Sequence, residues 1–182
     1  MKKYELTDET LKIGPVTLHR IKALAAFADV DDGDLGGWIE KESNLDQAGN
    51  AWVSGDARVS GNAWVSGDAM VSGDAMVSGN ARVSGDAWVS GRNHHLTIGP
   101  IGSRNDTITF TRNKKGGIFA AVGCFFGTLA EFRAKVSKTH GDNIHAQAYL
   151  LAAQLAELRI DTTPISDTQE EPTEGCEKGS AE

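Results

Sequence analysis

From Ala51 to Arg92 the chain repeats a six-residue pattern of small, variable, apolar and polar positions. The run reads AWVSGD, ARVSGN, AWVSGD, AMVSGD, AMVSGN, ARVSGD, AWVSGR, which makes seven hexapeptides. Val stands at 53, 59, 65, 71, 77, 83 and 89, and Ala stands two residues before each. Residues two apart in a strand face the same side. Ala and Val therefore point inward together, and the variable residue between them points out. Ser-Gly-Asp/Asn turns each corner: Gly accepts the backbone angles required, and Asp or Asn bonds its own backbone there.

One hexapeptide buries a Val and an Ala, too little to fold alone. Stacked coils, about 4.8 Å apart, bury a continuous apolar column in which each Val contributes roughly 1.5 kcal/mol. The pattern predicts a short parallel β-solenoid whose open ends need caps. Two registers fit. In a three-sided coil of 18 residues, Trp52, Met70 and Trp88 share a face, and Asn44, Asn62 and Asn80 align as a corner ladder. In a two-sided coil of 12 residues, Trp52, Trp64, Met76 and Trp88 share one face, and Arg58, Met70 and Arg82 the other.

The flanks break the period. Val16 and Leu18 alternate with Thr17 and His19, predicting a strand or hairpin before the repeat. Asp34-Leu-Gly-Gly-Trp-Ile39 reads as a turn into a first coil, in which Leu45 falls outside the Val phase. After the repeat, residues 94–106 read as a polar, Gly-rich connector. Thr107–Thr111 and Gly117–Val122 read as two strands joined by a basic turn carrying Lys114 and Lys115. Thr128 is placed to cap a helix through Lys138, with Leu129, Phe132 and Val136 on one face. Asp142 or Asn143 is placed to cap a second, from Ile144 to about Arg159. From Asp161 the chain is Thr, Ser, Pro, Gly and acidic residues, the composition of a disordered tail. The expected fold is mainly β, a hexapeptide-repeat β-solenoid followed by a small α+β domain and a disordered acidic tail. The expected units are an N-terminal strand and cap region (1–48), the repeat (49–92), the α+β domain (93–160) and the tail (161–182).

The small residue at Ala51 and Ala57, with Val two later, resembles the left-handed parallel β-helix of the hexapeptide-repeat superfamily, the trimeric acyltransferase-like fold. That resemblance favours three sides, and Ala suits a tight triangular core. The runs Gly33-Asp-Leu-Gly-Gly-Trp-Ile-Glu40, Ile98-Gly-Pro-Ile-Gly-Ser-Arg-Asn-Asp-Thr107, Gly123-Cys-Phe-Phe-Gly-Thr-Leu129 and Thr139-His-Gly-Asp-Asn143 resemble phage and prophage hexapeptide-repeat proteins described as polymer-forming or cytoskeletal-like. That resemblance spans roughly residues 4–160. It implies a phage or prophage origin and a solenoid, and names no activity.

The net charge of −7 divides unevenly. Residues 93–160 carry 8 basic and 4 acidic groups, whereas residues 161–182 carry 1 and 7. A +4 segment without a clustered basic face does not make a nucleic-acid binder. No apolar run spans a bilayer, no signal peptide opens the chain, and two cysteines, Cys124 and Cys176, do not make a disulfide framework. A cytoplasmic protein is expected.

The sequence offers residues for three kinds of function. His94 and His95 follow the last repeat, where hexapeptide acyltransferases commonly place a general base; a polar linker is the plainer reading. Cys124, with His140 and Asp142 or Asn143, has the residue types of a nucleophilic triad; buried packing of the Cys is the plainer reading. His140 and His145 lack the further ligands of a zinc set. The third is a binding surface: Trp52, Trp64 and Trp88, held outward by the Val phase, with Arg58 and Arg82, and the polar cluster Ser103, Arg104, Asn105 and Asp106. On this basis the expectation is a non-enzymatic, phage-encoded binding protein without cofactor or metal. It is a homo-oligomer, trimer or dimer, acting on a host protein as an inhibitor of a defence or regulatory factor. The alternatives are an acyltransferase-like enzyme and an assembly component.

Overall fold

The computed structural model describes residues 2–163. Those residues are mainly β, with two α-helices. A long hairpin opens the chain, β1 (Tyr4–Ile13) against β2 (Val16–Ala23), turning at Gly14 with φ of 57°. β3 (Leu35–Ile39) pairs antiparallel with β2 and parallel with the repeat, and so joins hairpin to solenoid.

The hexapeptides form two-residue strands: β4 (Trp52–Val53), β5 (Arg58–Val59), β6 (Trp64–Val65), β7 (Met70–Val71), β8 (Met76–Val77), β9 (Arg82–Val83) and β10 (Trp88–Val89). β4 to β7 each pair in parallel with the strand 18 residues on, giving ladders β4-β7-β10, β5-β8 and β6-β9. That is the register of a three-sided coil. All seven Val and their Ala partners are buried in one column. The first coil is longer. Ile39 pairs with Val59 and Leu45 with Val65, a register of 20. Two extra residues before Trp52 therefore put Leu45 out of phase. The Asn ladder forms in part: Asn62 donates to the Asn80 carboxamide oxygen at 3.3 Å. Asn44 instead is fully buried and donates to the carbonyls of Gly61 and Ala63.

Residues 94–106 are not a connector. They hold β11 (His95–Ile101), the first strand of an antiparallel sheet with β12 (Asp106–Arg112), β13 (Ile118–Val122) and β14 (Phe125–Thr128). One face of this sheet, with Ile108, Phe110, Ile118 and Ala120, packs under α1 (Leu129–His140) and α2 (Ile144–Arg159). The other face closes the solenoid. Arg82 donates its backbone N–H to the Thr109 hydroxyl, its guanidinium reaches the Gly123 carbonyl, and Arg112 reaches the Trp88 carbonyl. The last coil's unpaired edge is thereby covered, as an open repeat end requires.

Most of the expected tail, residues 164–182, lies outside the described residues. Its first three are tied down. Asp161 donates its N–H to the Asn93 carbonyl, and the Thr163 carbonyl accepts from Arg112.

Candidate functional site

Thr128 caps α1 through a reciprocal box. Its hydroxyl accepts from the Glu131 N–H, and the Glu131 carboxylate accepts from the Thr128 N–H at 2.8 Å. That fixes the phase of α1, so Phe132, Lys135, Val136, Thr139 and His140, spaced for one helix face, line a single cavity. Asn143 caps α2 by accepting from His145 and Ala146, which sets Tyr149 on the opposite wall. The β11–β12 turn, closed by the Asn105 N–H on the Gly102 carbonyl, brings Ser103, Arg104 and Asp106 to the rim. A side chain at Gly102, where φ is 73°, would overlap the Tyr149 hydroxyl, so only Gly lets turn and helix meet. The β13–β14 turn adds Gly123 and Cys124.

The cavity has a volume of about 290 Å³, at the small end of ligand pockets. Phe132 anchors its floor, edge-on to Phe110 at 5.8 Å and to Tyr149 at 5.7 Å, with Phe125 beside it. Two exposed cations, Arg104 and Lys135, stand on the rim. Burial, and then the Asp106 carboxylate, push the Tyr149 phenol up, with Arg104 opposing. It stays a neutral hydroxyl across the physiological range. His140 ends α1, its ring 5.7 Å from Tyr149 and 6.2 Å from His145.

Ser103, Arg104, Asp106, Cys124 and His140, which the sequence presents as two unrelated clusters, therefore share one cavity. Asn105 does not line it; it takes the left-handed turn conformation, φ 51°. Asn143 is spent on capping α2, and the Asp142 carbonyl accepts from Gln147. Lys135, Thr139 and Tyr149 escaped sequence reasoning. The 132, 135, 136, 139 spacing was the available signal for the first two, since it extends the apolar face into a polar one.

The Trp surface is a different matter. Trp52 is 3% exposed, covered by Phe27 and Tyr4 of the N-terminal region, because the hairpin folds onto its face. Trp88 is half-buried, with Lys114 over its ring at 5.4 Å. Trp64 alone of the three is exposed, and it pairs with Arg82 across its ladder. Arg58 lies under the hairpin beside Leu18 and Met76, its Nε buried without a hydrogen-bond partner. So Trp52, Trp64 and Trp88 make no continuous outer stripe.

His94 and His95 are packed at the solenoid's end. His94 accepts from the Ser90 N–H at 3.1 Å. Burial, then Arg112, lowers the His94 imidazole below the ordinary histidine range; burial, then His94, lowers His95. Neither lines the cavity. Among the described residues no group of three or more His, Cys, Asp or Glu is arranged to hold a metal, and no helix is long and apolar enough to cross a membrane.

The repeat matches the family described as the YdcK beta solenoid repeat three times, over residues 51–67, 63–79 and 75–91. The chain is also similar to a protein of Escherichia coli strain K12 named uncharacterized acetyltransferase YdcK, 38% identical over 61 residues. That match covers 29% of this chain and 19% of the relative, so the chain spans about a fifth of the relative's length. The chain is thus a repeat β-solenoid protein. The expectation of a non-enzymatic inhibitor is overturned: the similarity leads to a protein named an acetyltransferase.

Proposed function

We propose that the chain is an acyltransferase-like hexapeptide-repeat enzyme, with the solenoid as scaffold and the cavity beneath α1 as its site. One observation carries this reading. A single cavity joins an apolar aromatic floor, two cations on its rim and the imidazole of His140. The floor of Phe125, Phe132 and Val136 suits the acyl end of a thioester donor. Arg104 and Lys135 suit the anionic groups of its carrier. The volume admits one end of such a donor, leaving the carrier outside at the cationic rim.

In the reaction, an acceptor amine or hydroxyl attacks the thioester carbonyl. His140 takes the acceptor's proton as general base. The carbon–sulfur bond breaks, and the leaving thiolate takes that proton back. The Tyr149 hydroxyl, held neutral on the same wall, is a donor available to the developing oxyanion. Transfer is direct in this reading: Cys124 shares the cavity, but among the described residues no hydrogen bond joins its thiol to His140 to activate it.

Titration calorimetry with acetyl-coenzyme A tests the site. The wild-type chain binds it, and the Arg104→Ala/Lys135→Ala variant binds at least tenfold more weakly, since charge-assisted contacts to a donor are each worth about 1.5–3 kcal/mol. No binding by the wild type, or equal binding by both, contradicts the reading.

A further inference from the structure

Helix α2 is apolar on two sides. Its inner side is built of small residues, Ala146, Ala152, Ala153 and Ala156, buried with Tyr149 against α1 and β11. Its outer side carries the large aliphatics. Ile144 is 71% exposed, Leu151 64%, Leu155 43% and Leu158 84%. A helix that is hydrophobic all round belongs buried on both sides.

The outward residues have an order. Ile144, Ala148, Leu151, Leu155 and Leu158 follow spacings of four, three, four and three. That is the 3.5-residue repeat of a coiled-coil seam, whereas a face packed on a globular core is broader. Gln147 and Gln154 flank the seam on one side, and His145, Ala152 and Arg159 on the other, so most of its length has no fixed charge beside it. Glu157 is held away by a bidentate pair with Arg133 of α1.

We infer that α2 is the contact through which a second copy of this chain docks, helix seam against helix seam. Such a seam is self-complementary, as a two-fold contact requires. The exposed aliphatics present on the order of 400 Å² per copy, a contiguous patch of the size that is often functional rather than a scatter of single residues. With the flanking Gln and Ala the pair reaches roughly 1,000 Å², the lower bound of a specific interface. Leu151 lies at the centre of the seam. Parallel in-register and antiparallel two-fold pairings both bring the two Leu151 side chains together.

Light scattering on the full chain at micromolar concentration reads this. The wild type gives a multiple of 19.3 kDa, and Leu151→Glu/Leu158→Glu gives the monomer mass with an unchanged circular dichroism spectrum. In a Cys124→Ser/Cys176→Ser background, Leu151→Cys forms a disulfide-linked dimer on mild oxidation. A monomeric wild type, an assembly that survives the double Glu change, or no cross-link through position 151 overturns the inference.

Discussion

The backbone N–H of Arg82 donates to the Thr109 hydroxyl at 3.0 Å, and that bond joins the solenoid to the sheet that closes it. Arg82 belongs to the last full turn of the repeat and Thr109 to β12, and Thr109 is 1% exposed. The cavity is formed by the other face of the same sheet and its helices. Closing the repeat and holding the site are therefore two tasks of one four-stranded sheet.

Thr109→Val keeps the shape of the side chain and removes the acceptor. It should cost about 1 kcal/mol, the net worth of an ordinary hydrogen bond, since the Arg82 N–H is part-buried. Chemical denaturation of the two proteins measures it.

Val71 lies between Val53 and Val89 in its ladder and is fully buried. Val71→Asp places an unpaired carboxylate in the column and should cost about 4 kcal/mol or more. Circular dichroism melting should show a collapsed or strongly destabilised fold. Val71→Ala, which only opens space, should remain folded.

Trp52 and Trp64 carry the same residue at equivalent repeat positions and should respond oppositely. Trp52→Ala removes a ring seated on Phe27 at 5.4 Å and should cost about 3–5 kcal/mol. Trp64→Ala, at a 41% exposed position, should change stability by less than about 1 kcal/mol. Denaturant midpoints distinguish the two.

His94 and His95 should make stability fall on acidification. Burial holds both imidazoles below their usual range, with Arg112 acting on His94 and His94 on His95, while Asp161 and Asp74 pull His94 the other way. A depressed folded pKa means that the unfolded chain binds protons first. Stability is thus full above about pH 6.5 and declines as pH drops through that value toward the folded pKa. His95→Gln should flatten that part of the stability–pH curve in denaturant titrations.

The solenoid was legible because its period is short and its buried residues recur without exception. The register was less so: Trp positions alone fit both 12 and 18, and the pairing of Trp52 with Met70 and Trp88 decides for 18. Outward direction was read correctly from Val phase, but exposure was not. An outward Trp52 is buried when a distant hairpin lies over it, and local pattern holds no record of that. Strand β11 was missed because Gly99 and Pro100 interrupt its alternation, hiding Leu96 and Ile98, which pack on the second core. The α1 cap, Thr128, was readable from residue type; for α2 residue type left Asp142 and Asn143 open, and the bonds from His145 and Ala146 decide for Asn143. Arg104, Cys124 and His140 were each visible; their meeting depends on a meander that brings residues about 20 and 36 positions apart to one wall, which no local spacing encodes.

Release of free thiol from acetyl-coenzyme A, followed in the presence of pooled small amines and alcohols, tests the central claim most directly. The wild-type chain should release thiol at least about 100-fold faster than His140→Ala, the contribution expected of a general base. Cys124→Ala should keep the wild-type rate. A His140→Ala protein that matches the wild type, or a wild type no faster than buffer, would contradict acyl transfer at this cavity.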